Sequence, residues 1–582
     1  MTGADYIAKF LEAQGSKDIF LVTGGACAFI VDAISRNKNL NYYPMQHEQS
    51  AAISADAVWK VNKKVGVSIA TSGPGATNLI TGIACSYFDS IPSFHISGQV
   101  NQNEKLIYKS AKVRQAGFQE TDIVSMVTPI TKYAKQVTTG EELRYELAKA
   151  YKIAISGRMG PVLVDIPMDI QQLDVGEEIL MPEEILLDQK TYDIPSFKEK
   201  VKGFLSDAKR PLVLFGAGVG LGNGQNSVLD WIHINDLPYV SSWNGMAFIE
   251  STDENYYGNI GVYGNRGANF LLQSCDKLLV LGSRLDNRQR GNVEKFAFSA
   301  DLLVVDIDNQ ELKKHDHEER YQTFEFDFSD SDEAFKDLKI TMNFDKGWRE
   351  YCSSIKTKYF QKSESTSAQK YKSQNPYSVV EKINSLIEDD AIVAVDDGAN
   401  LCWVYQAFNR KQHNIFTAGG NSPMGYSFPA SIGSALVDPG KQVVCFTGDG
   451  SIQMCIQEFQ SMDFHKLPIK LFVLNNFGYG IIKQFQDTWF EGRYAATGDG
   501  YSQPDFKKVA GAYNIDYRRI EKPEDIVSED LNSSSGIFFD VILNPNTLIE
   551  PKIDSGNPLH NMFPYNNLEE DSFELTYIKE IK

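Results

Sequence analysis

Short apolar runs alternate with glycine-rich turns and amphipathic segments along three successive parts of the chain. The first part opens with a helix predicted over residues 3–14, for which Thr2 is the N-cap and Gly15 the stop signal. Buried strands are predicted at 19–22, 65–70, 93–96, 162–166, 212–215, 277–281, 302–305, 392–395, 442–446 and 469–474. Strands that alternate with helices in this way predict an α/β fold with three doubly wound parallel-sheet domains.

Two polar stretches divide these parts and are predicted as linkers. Residues 171–200 contain a cluster of glutamates, and residues 356–374 are rich in Ser, Lys and Gln and poor in large aliphatic side chains. A C-terminal tail contains Pro551, Pro558 and Pro564, which cannot continue a helix. The predicted domains are residues 1–175, 195–345 and 376–550, followed by the tail at 551–582.

Composition excludes several classes of function. The 582 residues include 57 Lys and Arg against 76 Asp and Glu, a net charge of -19. This acidic balance argues against binding to nucleic acid or to an anionic membrane, because both need a basic surface. The sequence has no apolar run near the roughly 20 residues of a membrane span, and its N-terminus lacks signal-peptide features. Seven cysteines without a CxxC pair indicate reduced thiols and predict a cytoplasmic protein.

Two strand ends in the third part carry candidate chemistry. One apolar run leads into Gly-Asp-Gly-Ser at 448–451, and the next ends in Asn-Asn-Phe-Gly at 475–478. In an open α/β sheet, the carboxyl ends of parallel strands face the crevice where ligands bind. Asp449, the amide oxygen of Asn476 and a carbonyl near Gly478 are oxygen donors that suit Mg²⁺ holding a diphosphate. The alternative is two unrelated turns, since Gly-Asp-Gly alone is common.

The pairing and spacing of these two motifs resemble the thiamin diphosphate enzymes. Together with other stretches, they make the chain to about residue 560 similar to the acetolactate synthase branch of that family. The resemblance implies a pyrimidine-binding first domain, a flavin-type central domain and a diphosphate-binding third domain. It also implies a homodimer or homotetramer with active sites between subunits. The supporting stretches are 46–52, 71–78, 96–100, 117–122, 160–167, 424–429 and 448–454.

The resemblance assigns roles to individual residues. Glu48 matches the glutamate that bonds the aminopyrimidine ring of the cofactor, and Met424 matches the bulky residue that keeps the cofactor bent. Taken alone, the first would be an ordinary helix glutamate and the second an ordinary packing methionine. Asp449, Asn476 and Gly478 match the metal ligands. The other predicted thiamin diphosphate contacts are Pro74, Asn78, Gly398, Gly448, Gly450 and Ser451.

The resemblance also bears on the fate of the two-carbon unit that remains when a 2-oxo acid loses CO₂. This unit can be protonated to an aldehyde, transferred to a second carbonyl or oxidised. The protonating decarboxylases of the superfamily carry a His-His pair that this chain lacks between Gly98 and Asp122. Phe118 and Gln119 stand there instead, as in the ligases, and Gln119 can hydrogen-bond a carbonyl without acting as an efficient acid. This favours ligation and gives Phe118 and Gln119 predicted catalytic roles.

The central part resembles the flavin-binding domain of acetolactate synthases. Gly216 and Gly218 form a glycine-rich turn after a strand, and Asp306 ends a strand where a ribose can be bound. With Arg284, these residues are predicted to bind FAD. The alternative to FAD binding is an empty or vestigial domain. Pyruvate oxidase remains a minor alternative for the activity of the protein.

Departures from the family pattern surround the acceptor site. Arg288, which matches the arginine for the acceptor carboxylate, is kept, and Phe485 and Met168 are predicted to line the substrate pocket. The synthases usually have tryptophan and lysine at the last two positions, and Asn101 and Asn287 also depart from their pattern. These changes keep carboxylate recognition in part but alter the shape and charge of the pocket.

The predicted function is a Mg²⁺- and thiamin diphosphate-dependent transferase that decarboxylates pyruvate and passes the two-carbon unit to a second 2-oxo acid. The same chemistry onto a keto-sugar or another larger ketone is the alternative acceptor. Pyruvate oxidase and a 2-oxo acid decarboxylase are alternatives of the same class, and a non-catalytic scaffold subunit is one of a different class. The sequence leaves open whether a regulatory subunit binds.

Overall fold

The computed structural model describes residues 1–103, 113–187, 190–316, 318–341, 344–359, 374–565, 568–569 and 572–578. The first helix shows how local sequence sets an element. It spans Gly3–Ala13, the Thr2 hydroxyl accepts a hydrogen bond from the Asp5 amide at 3.2 Å, and Gly15 follows with a positive φ of 69°. Thr2 therefore satisfies one of the free amides of the first turn, and the glycine allows the chain to leave the helix.

Eighteen strands in the described ranges form three parallel sheets of six strands each. The first sheet contains β1 Asp18–Leu21, β2 Asn41–Pro44, β3 Gly66–Ala70, β4 Ser93–Gln99, β5 Tyr133–Gln136 and β6 Val162–Pro167, in the order β2-β1-β3-β4-β6-β5. Its neighbouring helices are Gly3–Ala13, Ala28–Arg36, Glu48–Asn62, Pro74–Asn78, Ile80–Asp89, Ile123–Val127, Gly140–Ile155 and Met168–Gln172.

The middle sheet has a different order, β9-β8-β7-β10-β11-β12, which is the doubly wound order of dinucleotide-binding folds. Its strands are β7 Pro211–Phe215, β8 Tyr239–Ser241, β9 Tyr256–Asn259, β10 Lys277–Leu281, β11 Asp301–Asp306 and β12 Tyr321–Glu325. Its helices are Ile194–Leu205, Ala217–Leu221, Gln225–Ile234, Arg266–Ser274, Asn287–Arg290, Asn309–Lys313, Ser331–Phe335 and Lys346–Tyr359.

The third sheet repeats the order of the first, as β14-β13-β15-β16-β18-β17. Its strands are β13 Ile392–Val395, β14 Asn414–Phe416, β15 Val443–Gly448, β16 Lys470–Asn475, β17 Asp516–Ile520 and β18 Ile537–Ile542. Its helices are Pro376–Leu386, Ala399–Ala407, Ser427–Val437, Asp449–Ile452, Phe459–Phe464, Gly480–Phe490, Phe506–Ala512 and Ser528–Leu531. The predicted fold class is confirmed, and below the three domains are the parts of the chain that carry these sheets; the predicted boundaries stay predictions.

The first and third domains meet through helices in equivalent positions. Helix Glu48–Asn62 follows the second strand of its sheet, helix Ser427–Val437 follows the second strand of the other, and the two helices pack together. The contact is close: the Ser54 hydroxyl donates to the Pro429 carbonyl at 2.8 Å, and a Cβ at Gly433 would lie 2.7 Å from the Ser54 carbonyl. Glycine is therefore required at position 433 to bring the two backbones this close.

Two linker predictions are partly wrong. Residues 194–200 belong to helix Ile194–Leu205, whose N-cap Asp193 accepts from the Ser196 amide, and residues 356–359 end helix Lys346–Tyr359. In both segments buried aromatic and aliphatic side chains recur at helical spacing, a weak signal beside many lysines. Residues 360–373 of the second predicted linker and 188–189 of the first lie outside the described residues.

The tail returns from the third sheet to the middle domain. It contains an antiparallel pair, β19 Lys552–Ile553 and β20 Met562–Phe563, and Arg266 donates to the carbonyls of Met562 and Pro564. All seven cysteines are buried with free thiols. None of the helices in the described ranges combines the length and the apolar character that a membrane span requires.

Candidate active site

The carboxyl ends of β15 and β16 lie side by side, with Gly448 paired to Leu474. Asp449 follows β15, and Asn476 follows β16. One terminal atom of the Asn476 amide lies 2.9 Å from the Gly478 carbonyl oxygen and 3.2 Å from Asp449 Oδ1. The structure therefore brings the three predicted metal ligands together.

The identity of that terminal atom decides what the cluster needs. If it is the amide nitrogen, it donates to both oxygens; if it is the oxygen, three oxygens converge and a cation must lie between them. One carboxylate, one amide oxygen and one carbonyl leave coordination positions for phosphate oxygens, as Mg²⁺ prefers. Among the described residues, no group of three or more His, Cys, Asp or Glu side chains could hold a metal ion. The residues present fit the predicted Mg²⁺ site.

Asp449 is buried and held in place by groups that the sequence did not reveal. Its Oδ2 accepts from the Gly478 amide at 3.0 Å and from the Tyr501 hydroxyl at 2.7 Å. Burial raises the pKa of this carboxyl to about 6, against the lowering effect of the Tyr501 and Gly478 bonds. Tyr501 lies in no recognisable motif. The ring of Tyr479 packs on Gly450, where a Cβ would lie 2.4 Å away, which accounts for glycine there.

Gly398, another glycine predicted to bind the cofactor, lies just after the end of β13. Gly398 has a φ of 99° and precedes helix Ala399–Ala407. Asn400, to which no sequence motif pointed, donates to the Asp396 carbonyl at 3.0 Å, and its Oδ1 lies 3.5 Å from the positions of a Cβ at Gly398 and at Gly448. Small residues thus line the crevice between β13 and β15, next to Ser451. A crevice of this shape at two helix starts suits an anion such as a diphosphate.

The turn that carries Met424 is anchored by a fully buried carboxylate, Asp396. This carboxylate accepts from the amides of Gly425 at 2.9 Å and Ser427 at 3.1 Å, and also from the Ser427 hydroxyl at 2.8 Å. Burial raises its pKa to about 6, while the bonds from Ser427 and Gly425 lower it. Gly425 has a φ of 85°, and a Cβ there would lie 2.8 Å from Met454. These contacts hold Met424 beside the segment that follows Asp449.

Glu48 begins helix Glu48–Asn62 in the first domain and is almost fully buried. The Asn78 amide donates to Glu48 Oε2 at 2.9 Å, and a Cβ at Gly75 would lie 3.2 Å from Glu48 Oε1. Helix Pro74–Asn78 therefore rests on this carboxyl, and Pro74 and Asn78 are near it as predicted. The recorded side-chain bond of Glu48 stays within the first domain.

The loop after β4 contacts the turn that precedes helix Pro74–Asn78, near Glu48. Gln119 adopts a positive φ of 62°, and its carbonyl lies 2.8 Å from the position of a Cβ at Gly73, so the loop rests on the turn before Pro74. The neighbouring Phe118 is 82% exposed. Met168 follows β6, which pairs with β4 and so ends at the same edge of the sheet.

A cavity of about 590 Å³ opens at the carboxyl ends of β7, β10 and β11. The predicted residues Gly218, Arg284 and Asp306 line it, as does Arg288. The glycine pair has a packing role: a Cβ at Gly216 would lie 2.1 Å from the Gly282 carbonyl. The amides of Gly216 and Gly218 already donate to the carbonyls of Leu281 and Gly282 at 2.8 and 2.9 Å.

One wall of this cavity comes from the first domain. Arg158 lines it and donates to Asp308 Oδ2 at 2.7 Å and to Glu311 Oε1 at 3.2 Å. Asp306 is buried at the end of β11, and burial raises its pKa, while the Asp308 amide lowers it. A carboxylate at this strand end can accept from ribose hydroxyls, so the cavity fits a dinucleotide. Arg158 lies in no motif that the sequence revealed.

Arg288 joins the middle domain to the third. Its Nη1 lies 3.7 Å from Asp397 Oδ1, next to Gly398, and its side chain is partly exposed. Phe485 lies on helix Gly480–Phe490 and is 51% exposed. Phe485 and Met168 lie outside the residues that line the cavity. The structure thus brings Arg288, but not the other two predicted substrate residues, to the cavity.

Comparison with known proteins matches all three domains to one family, described as thiamine pyrophosphate (thiamin diphosphate) enzymes. The N-terminal TPP binding domain matches residues 1–126, the central domain 199–322 and the C-terminal TPP binding domain 396–532. The chain belongs to this family. The predicted family, fold class and dependence on thiamin diphosphate are confirmed.

The similar proteins in this thiamin diphosphate family are acetolactate synthase large subunits. The chain is 32% identical to that of Cyanidium caldarium over 95% of each chain. It is 32% identical to that of Haemophilus influenzae over 97% of this chain and 98% of the relative. It is 30% identical to the isozyme 2 large subunit of Escherichia coli over 96% of this chain and 98% of the relative. The prediction of an acetolactate synthase-like enzyme is confirmed at the level of the family.

Proposed function

We propose that this protein is a Mg²⁺-dependent carboligase that decarboxylates pyruvate and transfers the two-carbon unit to a second 2-oxo acid. The observation that carries the proposal is the convergence of the Asp449 carboxylate, the Asn476 amide and the Gly478 carbonyl at two adjacent strand ends. It is supported by relatives that are acetolactate synthase large subunits along nearly the whole chain.

In this proposal the third domain binds Mg²⁺ and the diphosphate, and the first domain provides the residue for proton transfer, Glu48. Bound thiamin diphosphate supplies an electron sink for the carbon that loses CO₂. Asp449, Asn476 and Gly478 hold Mg²⁺, and the crevice at Gly398, Gly448, Gly450 and Ser451 takes the diphosphate. Glu48 would hydrogen-bond the pyrimidine ring of the cofactor and take part in its proton transfer, and Asn78 orients that carboxyl through Oε2. Met424 would pack against the bound cofactor and fix its conformation.

The first-domain loop and Arg288 select the substrate. Gln119 donates to a substrate carbonyl, and Phe118 excludes water beside it. Arg288 binds the acceptor carboxylate, which suits a guanidinium because its donors match a carboxylate in pairs. Phe485 favours the second candidate acceptor, a keto-sugar or other larger ketone, because a half-exposed phenylalanine fills less space than the tryptophan of the synthases. Met168, without a charge, points the same way.

The proposal extends to the other components. FAD would occupy the cavity lined by Gly218, Arg284 and Asp306, with Gly216 shaping its turn. A homodimer or homotetramer is proposed, because Glu48 and Asp449 keep their recorded side-chain bonds within separate domains. The relatives are large subunits, so a regulatory partner is part of the proposal. Seven free buried thiols support a cytoplasmic location.

The test is mass spectrometry of the products from pyruvate alone, from pyruvate with 2-oxobutyrate and from pyruvate with a nucleotide-bound keto-sugar. We expect CO₂ release together with a ligated product that requires Mg²⁺ and thiamin diphosphate. If a ligated product forms only in the mixture of pyruvate and the keto-sugar, the acceptor is the second candidate, a keto-sugar or other larger ketone. Acetaldehyde or acetate as the sole product, or no turnover with any mixture, would overturn the carboligase. The absorbance spectrum of the purified protein tests for bound flavin.

A further inference from the structure

Glu458 is a fully buried carboxylate of the third domain that bonds to the first domain. It ends the 3-10 turn Ile456–Glu458, nine residues after Asp449 and on the same connection out of β15. Its Oε1 and Oε2 lie 3.2 and 3.3 Å from the Gln46 amide, and Ser461 donates to Oε2 at 2.7 Å. The carboxylate therefore spans the seam between the two domains.

The donors that Glu458 accepts from surround Glu48. Burial raises the pKa of this carboxyl, while the Ser50 hydroxyl and the His47 amide are also close enough to lower it, as the Gln46 amide does. These groups belong to the first turn of helix Glu48–Asn62 and to the two residues before it. Amides at a helix start have no partner within the helix, so a buried carboxylate is a strong acceptor for them.

Glu48 is thus held from two sides. Asn78 fixes its side chain from within the first domain, and Glu458 fixes its backbone from the third. We infer that Glu458 is a positioning residue, which sets the turn at Gln46 so that the Glu48 carboxyl points at the cofactor. The inference rests on the proposed function, because it assigns Glu458 an effect through the proton-transferring Glu48. It ties the segment of the metal ligand Asp449 to the residue that handles the proton.

A loss of this contact is expected to affect rate more than binding. A shift of about 1 Å in a catalytic group can cost about 100-fold in rate. Glu458→Gln keeps the size of the side chain but replaces one acceptor oxygen with an NH₂ group that faces donors. Glu146→Gln is the matched control, because Glu146 is also a buried glutamate and accepts from the Tyr133 hydroxyl at 2.6 Å, away from Gln46.

The first measurement is hydrogen exchange of the cofactor-free protein, followed by mass spectrometry of peptides that cover residues 45–50. In Glu458→Gln, the Gln46 amide is expected to exchange about 5–10-fold faster, as for the loss of one hydrogen bond. Glu146→Gln should leave this peptide unchanged. Unchanged exchange in folded Glu458→Gln would overturn the inference. If that variant does not fold, Ser461→Ala decides, because Ser461 donates to Glu458 Oε2 at 2.7 Å. It should give a smaller acceleration in the same peptide, and no acceleration would overturn the inference.

The second measurement uses the loaded enzyme and a double-mutant cycle with Glu48→Gln. Glu458→Gln should lower kcat by about 10–100-fold with little change in the KM for pyruvate. In the Glu48→Gln background it should have no further effect on rate, because the group it positions is already lost. Equal effects in both backgrounds would show a merely structural role and overturn the inference. Exchange needs no cofactor, so wild-type protein without thiamin-dependent turnover would defeat the proposed function and leave the exchange result standing.

Discussion

The first and third domains share one strand order but carry different chemistry at their strand ends. In the third, Asp449, Asn476 and Gly478 bring polar groups together after two adjacent strands. In the first, a single carboxyl, Glu48, starts a helix and bonds to Asn78. The shared topology places ligands at the carboxyl edge of both sheets. The difference shows that side chains at those edges, not the fold, decide which part of a cofactor each domain takes.

The largest expected effect comes from the first domain. Glu48→Gln should lower kcat by about 10²–10⁴-fold, because the amide cannot exchange a proton as a carboxyl does. Binding of Mg²⁺ and of the diphosphate should stay within about twofold, since those contacts belong to the third domain. Steady-state kinetics and a titration of the apo protein with cofactor, followed by tryptophan fluorescence, measure the two effects. Weakened cofactor binding with unchanged kcat would reverse the assignment of the two domains.

The second prediction concerns the seam between the domains. Lys60 Nζ lies 3.0 Å from Asp56 and 3.3 Å from Asp89, and it donates to the Tyr426 hydroxyl at 2.9 Å. Lys60→Met leaves two buried carboxylates without their cation, so the free energy of unfolding should fall by about 3–5 kcal/mol. Urea unfolding, followed by circular dichroism, measures the loss.

Lys64→Met is the control for Lys60→Met, since Lys64 is exposed near the end of the same helix. It should change the unfolding free energy by no more than about 0.5 kcal/mol. Equal stability of the two variants would mean that the buried ion pairs of Lys60 do not stabilise the fold.

Sequence predicted the parts of this comparison that depend on local pattern. β10 and β13 were predicted with correct bounds, because strands buried on both faces are continuous apolar runs. The prediction misses eight strands of the three sheets, including β8, β9, β12 and β14. Of the eight, β2, β5 and β17 are edge strands and carry exposed or half-buried polar residues, so they give no such run. The predicted set also lacks β18, although Ile537–Ile542 is fully buried and carries the apolar signal.

The candidate site also combines residues that local sequence motifs predict with residues that they do not. The Gly-Asp-Gly and Asn-Asn motifs are local, and the structure brings Asp449 and Asn476 together. Asp396, Tyr501 and Glu458 act through contacts with segments 29, 52 and 412 residues away in sequence. Tertiary packing creates these contacts, and spacing along a single sequence carries no signal for them.

The third prediction sharpens the metal side of the comparison. Tyr501→Phe removes the hydroxyl that donates to Asp449 Oδ2 at 2.7 Å and leaves the ring in place. Loss of such an outer contact should weaken Mg²⁺ binding by about 10-fold, within the usual range of 10–100-fold. The Mg²⁺ dependence of turnover at saturating pyruvate measures it. Tyr494→Phe, which removes an exposed hydroxyl bonded to Asp487, is the control and should not shift the curve.

The last prediction is a pH dependence that belongs to the third domain. Burial raises the pKa of Asp396 from 3.8 to about 6, so the folded protein binds this proton more tightly than the unfolded chain. Its contribution to the free energy of unfolding therefore falls as pH rises from about 4 to about 6, by roughly 2–3 kcal/mol, and is constant above. Asp396→Asn removes this titration.

The measurement is the difference in unfolding free energy between wild type and Asp396→Asn across pH 4–7 (about three units around the transition). Using the difference cancels Asp449, whose pKa burial also raises to about 6 and which is present in both proteins. The unfolding free energy of wild type minus that of Asp396→Asn should fall as pH rises. The variant also binds the Gly425 and Ser427 amides less well, because Asn offers fewer acceptors than Asp, and this loss is present across the pH range. Asp499→Asn, at an exposed position, should show no such slope. A flat difference would mean that the donors around Asp396 cancel the cost of burying its charge, leaving it a pure anchor for the Met424 turn.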